Sequence, residues 1–93
     1  MDTKVIKLVD AYVKSKLKKT QMVPKYDIKI VWKCKTLQNW KYLVITTLLD
    51  NLYYEVTYDG DKKRFYLDAY KKIENVTYDE NGNKPIVKPI KEA

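Results

Sequence analysis

The hydrophobic period of this chain changes once, and that change limits the folds open to it. Near the start, Val5, Val9, Val13 and Leu17 recur every four residues, with Ile6, Leu8 and Tyr12 beside them. At about 100° per residue these positions form one apolar stripe along a helix. Lys4, Lys7, Lys14 and Lys18 fall on the opposite side as a basic row. From Tyr26 the period is two: Ile28, Ile30, Trp32 and Cys34 alternate with Lys29, Val31, Lys33 and Lys35, which describes a strand with one apolar face. One amphipathic helix followed by alternating segments buries both apolar faces most simply when the helix lies across a sheet.

Local signals set the expected boundaries. Asp2-Thr3 can cap the helix, Lys18-Lys19 suit its negative pole, and Pro24 stops it beyond Met22-Val23, so the helix is expected from about 3 to about 20. In the first strand Trp32 and Cys34 are expected inward and the lysines outward. A bend at Thr36 to Asn39 leads to a second strand, Trp40 to Thr47. Asp50-Asn51 turns the chain into a third, whose inner face is Leu52, Tyr54, Val56 and Tyr58. Asp59-Gly60-Asp61 signals a hairpin. A two-residue loop at Gly60-Asp61 sets Val56 opposite Phe65 and Tyr54 opposite Leu67, with Thr57 beside Arg64 and Glu55 beside Tyr66. Asp68 can cap a short second helix near 69–74, a continued strand being the alternative. Residues 79–83 are turn chemistry, and Pro85 and Pro89 make Ile86 to Ile90 an extended tail or an edge strand. The fold class is therefore α+β: an N-terminal amphipathic helix on a four-stranded antiparallel meander. Residues 1–93 form a single domain whose segment 79–93 is loop and tail.

Charge is unevenly distributed. Residues 1–42 hold eleven Lys and three Asp, whereas residues 43–93 hold eight Lys or Arg and nine Asp or Glu. The basic field of the first half attracts nucleic acid, acidic protein surfaces or anionic lipid. With one cysteine, no signal-peptide pattern and no apolar run of about 20 residues, the expectation is a soluble cytosolic protein with a reduced thiol and no membrane partner.

Catalytic chemistry has little to build on. The chain has no histidine, so the common nucleophile–base pairs and zinc ligand sets are missing, and Gly60 and Gly82 stand alone without a phosphate-binding glycine loop. A carboxylate cluster with a lysine, drawn from Asp50, Glu55, Asp59, Asp61 and Asp68, is the remaining enzymatic option, and several of these are better read as turn residues. No catalytic residue, metal or cofactor is assigned. Cys34 shares its expected face with Ile30 and Trp32 and is read as core. Trp40 suits either a core anchor or an exposed contact beside Gln38 and Asn39.

The runs Cys34-Lys35-Thr36-Leu37-Gln38-Asn39, Tyr53 to Tyr58, Gly60-Asp61-Lys62-Lys63 and Tyr66 to Asn75 resemble a family of small proteins from phages and prophages of Gram-positive bacteria. That family is catalogued as a domain of unknown function. The resemblance covers roughly residues 30 to 76. The chain departs from it at Asp50-Asn51-Leu52, where a glycine after the aspartate is expected, and at Trp40-Lys41-Tyr42. It implies a phage or prophage origin, a place in the cytoplasm of the bacterial host, and a meeting in space of the bend with Ala69-Tyr70-Lys71-Lys72.

Two functions are expected of such a chain. The first is a non-enzymatic interaction protein that binds a host or rival mobile-element protein of replication, regulation or defence. Its contacts would be Lys33, Lys35, Gln38, Asn39, Trp40, Lys41, Tyr70 and Lys71. The second is a nucleic-acid-binding protein that uses the basic N-terminal half, including Lys4, Lys7, Lys14 and Lys18. Either is compatible with a monomer or a homodimer.

Overall fold

The computed structural model describes residues 1–17 and 25–85. One helix, α1 (Asp2–Lys16), packs on a four-stranded antiparallel sheet of β1 (Ile28–Thr36), β2 (Asn39–Thr46), β3 (Leu52–Asp59) and β4 (Arg64–Lys71), in spatial order β1-β2-β3-β4. The period-four stripe is the packed face: Val5, Val9 and Val13 are buried against Tyr42 and Val44 of β2 and Tyr54 and Val56 of β3. Each such valine contributes about 1.5–2 kcal/mol relative to exposure. Leu17, Ile28, Ile30, Leu52, Phe65 and Leu67 close the margin of this core. Among the described residues no helix is long and apolar enough to cross a membrane.

The helix differs from expectation at both ends. Met1 is its N-cap and no side chain caps it, because Asp2 stands in the first turn and its carboxylate is engaged elsewhere. The helix closes at Lys16, with Leu17 already extended at φ −79° and ψ 136°. Lys18, Lys19 and Pro24 lie outside the described residues, as does the tail from residue 86.

The largest correction concerns β1. Ile30 pairs with Val44, but Trp32 pairs with Leu43, so the register slips by one residue at a β-bulge around Val31. A bulge sets two residues against one and sends every following side chain to the other face. Beyond it, Trp32 and Cys34 share the outer face with Leu43 and Lys41, and Lys33 and Lys35 share the helix face with Tyr42 and Trp40. Trp32 is 52% exposed and Cys34 is exposed, not core.

The second correction is at the β3–β4 hairpin. Its loop is Gly60 to Lys63, four residues rather than two, and the register places Val56 opposite Leu67, Tyr54 opposite Ala69, Thr57 opposite Tyr66 and Glu55 opposite Asp68. Because the expected and observed registers differ by an even number, the inner face is unchanged. Asp68 does not cap a helix: residues 69–71 continue β4, since pairing with Leu52 to Tyr54 outweighs local helix preference. The turn at 79–83 is as expected, with the Asp79 carboxylate accepting from the amides of Asn81 and Asn83 and Gly82 at φ +82°.

Candidate functional site

Two hairpin ends meet at one end of the sheet. The β1–β2 turn is the pair Leu37-Gln38, since Thr36 pairs with Asn39. Gln38 Nε2 donates to the Asp61 carboxylate of the β3–β4 loop, and the Gly60 amide donates to Asn39 Oδ1 at 2.9 Å. Glycine is required at position 60 by this approach and not by its φ: an added Cβ would overlap the Gln38 carbonyl oxygen and lie 2.6 Å from Gln38 Cγ. The loop is set by Asp59, whose carboxylate accepts from the amides of Asp61 (3.0 Å) and Lys62 (3.2 Å), and is closed by Lys63 at φ +53°. The motifs Leu37-Gln38-Asn39 and Gly60-Asp61-Lys62-Lys63 thus form one locked double turn.

Leu37 is the unusual member. It sits at φ +56° and is 81% exposed. That backbone region costs a side chain with a Cβ about 1 kcal/mol or more and normally takes Gly or Asn in a hairpin. Here an apolar side chain occupies it and is held in water.

Behind Leu37 the bulge brings a basic and aromatic group onto the helix face. Trp40 stacks on Tyr42 with ring centres 5.9 Å apart and planes 16° apart. The Lys35 ammonium lies 5.5 Å from the centre of the Trp40 ring, a cation–π arrangement that leaves the charge in solvent. Lys33 donates to the Asp2 carboxylate at 2.8 Å, and the Tyr42 hydroxyl donates to the same group at 3.1 Å. The Lys33 hydrogen bond holds the Asp2 carboxyl below its ordinary value, while burial and the Asp2 bond push the Tyr42 hydroxyl up to about 12. Lys33 therefore fastens α1 to the sheet, and Lys62 and Lys63 supply exposed cations at the tip.

The expected contact set divides. Lys35, Gln38, Asn39 and Trp40 come together, with Lys33 one pair further along. Lys41 points to the outer face and pairs with Glu55 at 3.1 Å. Tyr70 and Lys71 stand at the opposite end of β4, Tyr70 stacked on Tyr53 at 5.3 Å and Lys71 opposite Leu52, so the bend and residues 69–72 do not meet. On α1, Lys4 and Lys7 border a hollow with Leu8 and Phe65, and Lys14 pairs with Asp10 at 3.0 Å; Lys18 lies outside the described residues. The carboxylates do not converge. Asp50 accepts from the Leu52 amide, Asp59 and Asp61 serve the loop, and among the described residues no group of three or more His, Cys, Asp or Glu can hold a metal. Leu37, Gly60, Lys62 and Lys63 join the site in the fold without having stood among the expected contacts. The signal available was an apolar residue in an otherwise polar bend.

Asn51 occupies the position where the resemblance calls for glycine, and its φ is +58°. Asn tolerates this region better than other side chains, so the departure keeps the turn. Neither the comparison with curated proteins nor that with solved structures found a match. Residues 2–80 match the family described as "Family of unknown function (DUF6275)", a span that takes in α1, the whole sheet and both hairpin tips, and the chain belongs to that family.

Proposed function

We propose that this protein is a non-enzymatic interaction protein that docks its locked hairpin tips into an acid-rimmed apolar recess of another protein. Leu37 is the inserted side chain, and Lys35, Lys62 and Lys63 are the rim cations. In this reading the chain comes from a phage or prophage of a Gram-positive bacterium and works in the host cytoplasm on a host or rival mobile-element protein of replication, regulation or defence. The motif resemblance supports the origin, and the tip supports the mode of binding.

Leu37 carries the reading. The tight turn requires the left-handed backbone, but an exposed leucine there gives the fold nothing that Gly or Asn would not, and such outliers gather where binding uses them. Two cross-tip hydrogen bonds and the Gly60 contact fix the turn before any partner arrives, which lowers the ordering cost of association. The alternative, nucleic-acid binding by the basic half, loses two of its lysines to intramolecular pairs, Lys33 to Asp2 and Lys14 to Asp10.

The test is affinity capture from nuclease-treated lysate of a Gram-positive host, with the native chain and Leu37→Asp compared at matched folding by circular dichroism. A captured protein that survives nuclease and is lost with Leu37→Asp is the expected result. Capture that disappears with nuclease, together with single-stranded DNA binding whose salt slope is near −0.7 per phosphate engaged, would favour the alternative and end this reading.

A further inference from the structure

On the sheet face turned away from α1 large apolar side chains stay exposed, Trp32, Ile45, Tyr66 and Tyr70 among them. Trp32, Leu43, Ile45, Tyr53, Tyr66 and Tyr70 share it by register. A hollow of about 550 Å³ opens there, with Val31, Leu43, Ile45 and Tyr53 in its lining. Its charges are segregated. Lys29 and Lys41 lie on β1 and β2, and Glu55, Asp59 and Asp68 on β3 and β4, with Arg64 at the loop end. Glu55 stands directly opposite Asp68, a like-charge pair that costs stability within one chain. Lys41 answers Glu55 at 3.1 Å, and Asp68 has no ion-pair partner among the described residues.

We propose that this face is a two-fold interface with a second copy of the chain, packed sheet on sheet. A two-fold axis lying between the sheets and parallel to the strands sets β1 over the partner's β4 and β2 over the partner's β3. The lysine-bearing half of each copy then meets the carboxylate-bearing half of the other. By register Ile45 meets its Tyr53, Cys34 its Tyr66 and Lys29 its Tyr70, with its Asp68 one same-face pair further along. The chain as a whole carries +7, whereas this face holds three charges of each sign, so it is where two such chains approach with least repulsion. An aromatic sheet face can also stack bases, but Glu55 and Asp68 near its middle repel phosphate.

Four strands about 4.8 Å apart and about eight residues long at roughly 3.3 Å each present on the order of 500 Å² of plane, and side-chain relief adds to it. Stable interfaces take about 800 Å² from each partner, so the dimer is a moderate one, forming in the micromolar range. The hairpin tips lie at the sheet end and are left accessible.

Sedimentation equilibrium of the full chain from low to high micromolar concentration tests this. A monomer–dimer equilibrium is expected, weakened at least tenfold by Ile45→Asp and several-fold by Lys29→Asp or Asp68→Lys singly, and restored when both reversals are combined. Leu37→Asp should leave it unchanged, which separates this interface from the tip. Diamide oxidation should give an interchain disulfide between Cys34 and position 66 in Tyr66→Cys, and none in the native chain. A chain that stays monomeric at high micromolar concentration overturns the proposal, as does association that ignores these substitutions or appears only with added nucleic acid.

Discussion

Gly60 and Gln38, on two different hairpins, lie in contact so close that glycine is the only residue the position accepts without a shift of backbone. Gly60→Ala is therefore expected to cost about 1–3 kcal/mol, the range for forcing volume into a packed contact. For a domain of this size each kcal/mol lowers Tm by roughly 4–8 °C. An unchanged thermal melt would show that the two tips are apart in solution.

Leu37 gives the opposite sign. Leu37→Gly relieves a left-handed backbone at an exposed position and should raise stability by about 0.5–1 kcal/mol, while removing the side chain proposed to bind. Chemical denaturation measures the first effect and partner capture the second. Loss of stability in this variant would mean that Leu37 packs in the fold.

Cys34 is exposed on the outer face, with Sγ 3.9 Å from the Lys35 carbonyl oxygen and 4.0 Å from Thr36 Oγ1. In the dilute, monomeric protein bulky thiol reagents should label it without unfolding, and Cys34→Ser should stay within about 0.5 kcal/mol of the native chain. Labelling that waits for denaturant would place Cys34 inside.

The attachment of α1 to the sheet should fail at both pH extremes. Asp2 and Asp10 are depressed below their ordinary 3.8, chiefly by hydrogen bonds from Lys33 and from Tyr26. For a depressed carboxyl the stabilisation is present above the unfolded value and is lost as pH falls through the folded one. Tyr26 and Tyr42 are pushed up to about 12, Tyr26 first by its bond to Asp10 and Tyr42 first by burial. For a raised phenol the stabilisation is complete below 10 and is lost as pH rises toward about 12. Near-ultraviolet circular dichroism against pH should show an acid transition below 3.8, moved by Asp2→Asn with Asp10→Asn, and an alkaline one between 10 and 12, moved by Tyr42→Phe. Aromatic signals indifferent to all three substitutions would remove these contacts from the account of the fold.

Of the site, the bend was readable because Gln38 and Asn39 are polar turn residues next to Trp40, and Asp59-Gly60-Asp61 because it is turn chemistry. That the two turns bond to each other was not, since Gln38 and Asp61 are 23 residues apart and neither has a local pattern that names its partner. Tyr70 and Lys71 join the bend only in what the resemblance implies. The strand order puts them at the far end of an edge strand.

Sequence by itself determined the helix, the four-stranded antiparallel meander and the inward faces of α1 and β3. A period of four from Val5 to Leu17 and a period of two from Ile28 onward are properties of single segments, and burying one stripe against one face leaves little freedom in how a helix and four strands combine. The tertiary structure alone decided which way residues 32–36 face, how long the β3–β4 loop is, and whether residues 69–71 are helix or strand. Each depends on the partner strand: β2 places one residue, Leu43, where β1 has two, Val31 and Trp32. It also sets β4 against Leu52 to Tyr54, where cross-strand hydrogen bonds outweigh a weak helical preference. Alternation within a strand shows that side chains take turns, but only the neighbour's register shows where the count skips. At Val31 that skip exchanged Trp32 and Cys34 for Lys33 and Lys35 on the face that holds α1.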